Sequence, residues 1–109
     1  MPLLFPGSSV VEEDLGRFLE EMMSYTEKVC SEKRELESYC RQFMRELEVV
    51  GGLRMLDSFR SGAKTRILLS TVERNLTVLA LWAYKFGYAD IRNRLETLAK
   101  RARELRNSL

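Results

Sequence analysis

The sequence contains no histidine, and this absence removes several classes of site at once. Without an imidazole, the chain cannot form a Ser-His-Asp triad or a zinc or iron site with histidine ligands. Two cysteines, Cys30 and Cys40, are too few for a structural zinc site. We therefore expect no catalytic residues, no metal and no cofactor, and we interpret the chain as a non-enzymatic protein.

Long apolar runs and prolines are also scarce. The longest apolar stretch, Leu76–Tyr84, is far shorter than the ~20 residues of a membrane span, and Met1–Val11 lacks the basic residues of a secretory signal. We expect a cytoplasmic protein that does not cross a membrane. The single glutamine, the missing histidine and the abundant Glu, Lys and Arg are typical of a thermophile.

The only two prolines, Pro2 and Pro6, precede the first periodic segment, so only glycines interrupt helix formation after them. Ser9 followed by Glu12 matches a capping box and predicts the start of a first helix. Residues 1–9 would then be an extended arm, either disordered or docked through its apolar side chains, with docking slightly favoured. We expect residues 1–109 to form a single helical domain.

A strict seven-residue repeat, the pattern of a helix lying along another helix, marks the first half: Leu15, Met22, Val29, Leu36, Phe43 and Val50. Charged residues interrupt the stripe within Ser31–Glu35, where a break is the alternative to one helix from about Val10 to Val50.

On one straight helix, Cys30 and Cys40 would lie ~15 Å apart. We expect two reduced thiols, with a disulfide between subunits as the alternative.

Glycines divide the rest of the chain. Gly51-Gly52 ends the first helix, a short helix follows from Leu53 to about Arg60, and a third helix runs from about Ala63 to Phe86. After Gly87 the phase of the apolar residues changes, which indicates a turn into a fourth helix, with Asp90 available as its cap, or a kink in a continuous one. The prediction is an all-α helical bundle with one long N-terminal helix, a short connecting helix and a C-terminal helical hairpin.

Two short helices of ~30 Å cannot cover an apolar stripe of ~60 Å, so we expect a second chain to complete the bundle as a coiled-coil homodimer. Alternatively, the first helix breaks and a monomeric bundle closes. Trp82 is weighted equally as a core or an interface residue. The predicted interface residues are Leu15, Met22, Val29, Leu36, Phe43, Leu76, Leu79 and Trp82.

Charge is divided between the two halves of the chain. Residues 1–50 carry six basic and eleven acidic side chains (net −5), and residues 51–109 carry twelve basic and five acidic ones (net +7). We favour packing of the halves on each other, within or between chains. The alternative is a surface for RNA or single-stranded DNA in a nucleoprotein complex. Its candidate contacts are Arg60, Lys64, Arg66, Arg92, Arg94, Arg101 and Arg106.

Ser61-Gly62-Ala63-Lys64-Thr65 has some features of a phosphate-binding loop, but it lacks the adjacent Gly-Lys pair and the preceding strand that the motif needs. The scattered carboxylates are better explained as solvated helix faces than as a magnesium site. The leading interpretation is a self-associating helical scaffold or adaptor, and a homodimer or another protein partner is expected.

Overall fold

The computed structural model describes residues 6–50 and 62–109. Within these two ranges the chain forms four α-helices, one short 3-10 turn and no strand. In chain order they are α1 (Pro6–Glu32), the 3-10 turn (Arg34–Leu36), α2 (Glu37–Val49), α3 (Gly62–Lys85) and α4 (Ala89–Asn107). The predicted all-α fold is confirmed. The predicted helix from Leu53 to about Arg60 lies outside the described residues.

Helix α1 begins earlier than the sequence predicted, at Pro6. Proline suits the start of a helix because its φ angle is already helical and its missing N–H has no partner there in any case. Residues 6–9 are therefore helical rather than part of an extended arm, and Ser9 lies inside α1 instead of capping it. Residues 1–5 of the predicted arm lie outside the described range.

The predicted continuous helix from Val10 to Val50 is wrong, because the chain leaves the helix at Lys33. This residue is extended, with φ −116° and ψ 95°, and the 3-10 turn follows it. The break falls within the Ser31–Glu35 stretch, where charged side chains interrupt the apolar stripe. Beyond the break, Leu36 is fully buried. We call this junction between α1 and α2 the helix corner.

The helix corner changes how the apolar stripe is covered. Helix α1 packs against α4, and α2 packs against α3. The two halves of the stripe therefore face two different helices of the same chain, and no ~60 Å stripe is left for a second chain to cover. The residues that form one core come from all four helices and the 3-10 turn: Leu15, Phe18, Leu19, Met22, Val29, Leu36, Cys40, Phe43, Leu47, Leu68, Leu69, Val72, Leu76, Leu79, Ala80, Ala83, Leu95, Leu98, Ala99, Ala102 and Leu105.

The same corner joins Cys30 to Cys40 by a disulfide, with their Cα atoms 6.2 Å apart. The expectation of two free thiols rested on placing both residues on one straight helix, which would separate them by ~15 Å. That expectation is wrong because the bend brings the end of α1 and the start of α2 side by side.

A turn, not a kink, joins α3 to α4. Gly87 has φ +88°, a left-handed conformation that glycine adopts without a Cβ clash. The N–H of Tyr88 donates to the carbonyl of Ala83 (2.8 Å) and that of Gly87 to Tyr84 (3.0 Å), the paired bonds of a Schellman helix end. The predicted C-terminal hairpin is confirmed. Tyr88 occupies the N-cap position of α4, and Asp90 lies inside its first turn. No helix in the described ranges is long and apolar enough to cross a membrane.

Candidate functional site

Most of the predicted interface residues lie inside the single chain. Each of the following is at most 2% exposed: Leu15, Met22, Val29, Leu36, Phe43, Leu76 and Leu79. Side chains buried in this way cannot contact a second copy unless the bundle opens. The seven-residue repeat therefore marks the core of the bundle, and a contact with a partner must use other residues.

Trp82, which the sequence left equally divided between core and interface, is half-buried. Its ring stacks on Tyr39 of α2, with ring centroids 4.6 Å apart and planes 17° from parallel. The ammonium group of Lys85 lies over the Trp82 ring, 4.7 Å from its centroid. Trp82 thus links α3 to α2 at the edge of the core.

The basic residues that were candidates for nucleic-acid contact on α4 have carboxylate partners in the same chain. Arg94 pairs with Glu21 of α1, and Arg101 lies 3.6 Å from Asp14, which is also in α1. These contacts link the acidic first half to the basic second half, as the favoured reading of the charge division predicted.

The remaining two α4 candidates are paired as well. Arg106 lies 2.6 Å from Glu73 of α3, and Arg92 lies 3.4 Å from Glu96, one turn along α4. Lys64 and Arg66 are exposed at the start of α3, and Arg60 lies outside the described residues. The structure therefore places the four α4 candidates in four separate ion pairs.

An exposed apolar row follows the outer side of α3. Val78, Leu81 and Tyr84 are 42%, 51% and 58% exposed, although each is large and apolar or aromatic. They lie three residues apart, so they share one side of the helix. Contiguous exposed apolar patches on a protein surface often mark binding sites.

The row borders a groove between α3 and α4 with a volume of about 860 Å³. Small side chains, including Ala80 and Ala99, leave the space, and charged side chains of α4 form its far wall. We call this space, with Val78, Leu81 and Tyr84 along one wall, the outer groove. It lies on the side of the hairpin that faces away from the core.

Charges of alternating sign follow the α4 side of the outer groove. Arg92, Glu96 and Lys100 line it at four-residue spacing, and the exposed Glu104 continues the same row beyond it. Residues four apart form one of the ridges along which helices pack. The order along this ridge is positive, negative, positive, negative.

The shifted pKa values of the described residues have simple structural causes. The hydrogen bond from the Tyr88 hydroxyl, 2.6 Å from a Glu35 oxygen, lowers the pKa of Glu35 and raises the pKa of Tyr88. Hydrogen bonds from Arg74, and then from Gln42, lower the pKa of Glu46. None of these five side chains lines the outer groove. The Tyr88–Glu35 and Arg74–Glu46 hydrogen bonds each join different elements of the fold.

No cluster of three or more potential metal ligands occurs among the residues that the structure describes. The sequence contained a signal for the outer groove, because Leu76–Tyr84 is apolar nearly all around the helix. Periodicity alone could not decide which side of α3 would be covered. In comparisons with known proteins, no family model, no curated protein and no solved structure matches this chain.

Proposed function

We propose that this protein is a non-enzymatic helical scaffold that associates with a second copy of itself through the outer groove. The observation that carries the proposal is the exposed row of Val78, Leu81 and Tyr84 beside an open groove. Burying such side chains gains roughly 25 cal/mol for each Å² of apolar surface removed from water. A matching apolar helix face in the groove would remove this surface from solvent.

The order of charges on α4 supports a second copy as the occupant. When two α4 helices cross antiparallel at the level of residue 98, Glu96 of one copy faces Lys100 of the other, and Arg92 faces Glu104. All four positions then meet a charge of opposite sign, in addition to the 3.4 Å contact that Arg92 and Glu96 make within each chain. A two-fold axis makes each of these contacts twice, because the same surface is used on both copies.

This arrangement is compatible with ordinary helix packing. The four charged positions form an i, i+4 ridge, and helices that pack along such ridges cross at about −50°. The crossing would place the exposed side chains of α3 from each copy over the groove of the other. The contact would have an apolar centre and a charged rim, the usual anatomy of a protein interface.

The ion pairs of the basic residues favour this proposal over the nucleic-acid alternative. Arg94, Arg101 and Arg106 already contact carboxylates of the same chain. Phosphate binding by these residues would have to compete with those contacts. The cytoplasmic location and the thermophilic source stay predictions.

The first test is the molar mass in solution, measured by light scattering on a sizing column. We expect twice the chain mass of 12.7 kDa for the wild type. Leu81→Glu is expected to give a monomer, because it places a charge in the apolar centre of the contact. Ile67→Glu is the matched control, since Ile67 is also an exposed apolar residue of α3 (55%) but does not line the groove.

A charge exchange tests the orientation of the two copies. Glu96→Lys and Lys100→Glu are each expected to weaken the dimer by about tenfold, because each places like charges together twice across the two-fold axis. The double variant should recover most of the affinity.

A monomeric wild type, or a dimer that survives Leu81→Glu, would refute the proposal. A salt-sensitive nucleic-acid absorbance in the purified protein would favour the alternative.

A further inference from the structure

The helix corner brings Cys30 and Cys40 together, and contacts that do not involve sulfur also hold this corner. Cys30 near the end of α1 and Cys40 in α2 are bonded, and their Cα atoms lie 6.2 Å apart. The question is whether the corner depends on this bond or exists without it. The contacts around Lys33 and Leu36 indicate that it exists without it.

The backbone of the corner has its own hydrogen bonds. The N–H of Lys33 donates to the carbonyl of Val29 (2.8 Å), and that of Leu36 donates to the carbonyl of Lys33 (3.0 Å). Leu36 is fully buried in the core directly after the turn. Straightening the corner would remove this side chain from the core, at a cost typical of losing a buried leucine.

Tyr88, at the start of α4, clamps the corner from outside. Its hydroxyl donates a hydrogen bond to Glu35 with a distance of 2.6 Å. The ammonium group of Lys33 lies 4.7 Å from the centroid of the same ring. One tyrosine of the C-terminal hairpin therefore contacts two residues of the corner, and none of these contacts involves sulfur.

The disulfide is accessible from one side. Cys30 is half-buried and Cys40 is only 6% exposed. Both line a pocket of about 380 Å³ whose charged side chains have both signs: Arg41, Arg45, Glu27, Glu37 and Glu48. Arg41 is paired with Glu37, so the two cysteines lie in a mixed electrostatic environment. Because Cys30 is the more exposed of the two cysteines, a small thiol would reach its sulfur first.

The hydroxyl of Thr26 supplies a second, independent observation. Thr26 is 1% exposed and lines the same pocket, and its oxygen has no hydrogen-bond partner among the described residues. It lies four residues before Cys30, on the same side of α1. A buried hydroxyl without a partner is costly. In the reduced protein, a thiol or thiolate at Cys30 would provide the missing partner.

We propose that Cys30 and Cys40 form a reversible thiol–disulfide exchange site for small thiols of the glutathione class. In the oxidising direction, the Cys30 thiolate attacks glutathione disulfide, which forms a mixed disulfide and releases one glutathione. The Cys40 thiolate then attacks the sulfur of Cys30 and releases the second glutathione. The protein loses two electrons and two protons, and glutathione disulfide gains them. A protein in a reducing compartment would use such a pair reversibly rather than as a permanent crosslink.

The central experiment equilibrates the full chain with mixtures of glutathione and glutathione disulfide and measures the fraction of oxidised protein. The equilibrium constant is compared between the folded protein and the same chain in denaturant. For the unfolded chain, we expect the equilibrium constant for oxidation to be in the millimolar range, the effective concentration of two groups joined by a short flexible linker. We expect a value about a hundredfold higher for the folded protein, the effect of closing a loop of this length in the chain-entropy treatment.

Two substitutions should move the folded-state constant in opposite directions. Tyr88→Phe removes the hydrogen bond to Glu35 but keeps the ring, so we expect the constant to fall by about threefold. Thr26→Val removes the hydroxyl that would stabilise the reduced form, so we expect it to rise by a similar factor.

The site of attack is tested with single-cysteine variants and glutathione disulfide. Cys40→Ser leaves Cys30 and should form the mixed disulfide at least about tenfold faster than Cys30→Ser, which leaves the buried Cys40. Two results would overturn the proposal. One is an equilibrium constant for oxidation that differs by less than about twofold between the folded and the unfolded protein. The other is reduction by glutathione no faster than global unfolding, which would make the bond a permanent crosslink.

Discussion

Replacing Leu76 and Leu81 by alanine, one at a time, applies the same truncation to two sides of α3. Leu76 is fully buried in the core, whereas Leu81 is 51% exposed beside the outer groove. The sequence predicted Leu76 as an interface residue, and the structure places it in the interior. The pair of variants therefore separates the residues that stabilise the single chain from those available to a partner.

The expected magnitudes follow from the two environments. Leu→Ala at position 76 loses the transfer free energy of three carbon groups, about 2.4 kcal/mol, and leaves a cavity that raises the total to about 3–5 kcal/mol. At position 81, half of the side chain is already in water, solvent fills the vacated space, and alanine favours the helix slightly. We expect a loss of about 1 kcal/mol at most.

The measurement is urea unfolding followed by circular dichroism, at a protein concentration low enough to keep the chain monomeric. Equal m-values would show that both variants unfold from the same native state. We expect Leu76→Ala to lower the unfolding midpoint far more than Leu81→Ala, and only the second variant to weaken self-association directly. Equal losses of stability in the two variants would refute the assignment of Leu76 to the buried side of α3 and of Leu81 to its exposed side.

The carboxylate of Glu73 contacts Arg106 at 2.6 Å and is only 20% exposed, so Glu73→Gln should lower the free energy of unfolding by about 1 kcal/mol, less at high salt. No loss in urea unfolding at low salt would contradict this. The pKa of Glu46 lies below its ordinary value of 4.5 because Arg74 donates a hydrogen bond to it. This stabilisation is complete above pH 4.5 and is lost as the pH falls through the lowered folded-state pKa. The stability difference between the wild type and Arg74→Met should therefore shrink in acid, and a constant difference between about pH 7 and pH 2 would refute the coupling.

Local sequence properties determined the elements of this fold. Apolar periodicity indicated helical segments and picked out core residues such as Leu15, Met22 and Phe43, because a residue that faces the core must recur with the period of the helix. The change of phase at Gly87 located the hairpin, since a left-handed residue is needed to end α3 in this way. The opposite charges of Asp14 and Arg101 were visible in the sequence as well, and the structure pairs them.

Only the tertiary structure decided where the first helix bends and what the bend brings together. Glu32 and Lys33 marked a weak point, but the energy that favours bending there comes from burying Leu36 and from the contacts of Tyr88, 53 residues from Glu35. No local pattern contains these contacts. The pairing of the two cysteines follows from the bend, so it could not be inferred before the bend was known.

The same reason explains the choice of side on α3. A helix that is apolar nearly all around offers two sides to a neighbour, and its own sequence ranks them almost equally. In the folded chain, α2 and α4 pack against the side of Leu76 and Leu79, which leaves Val78, Leu81 and Tyr84 exposed. The sequence determined that α3 would be buried on one side. The packing of the other helices determined which side remained free, because burial depends on neighbours that are distant in the chain.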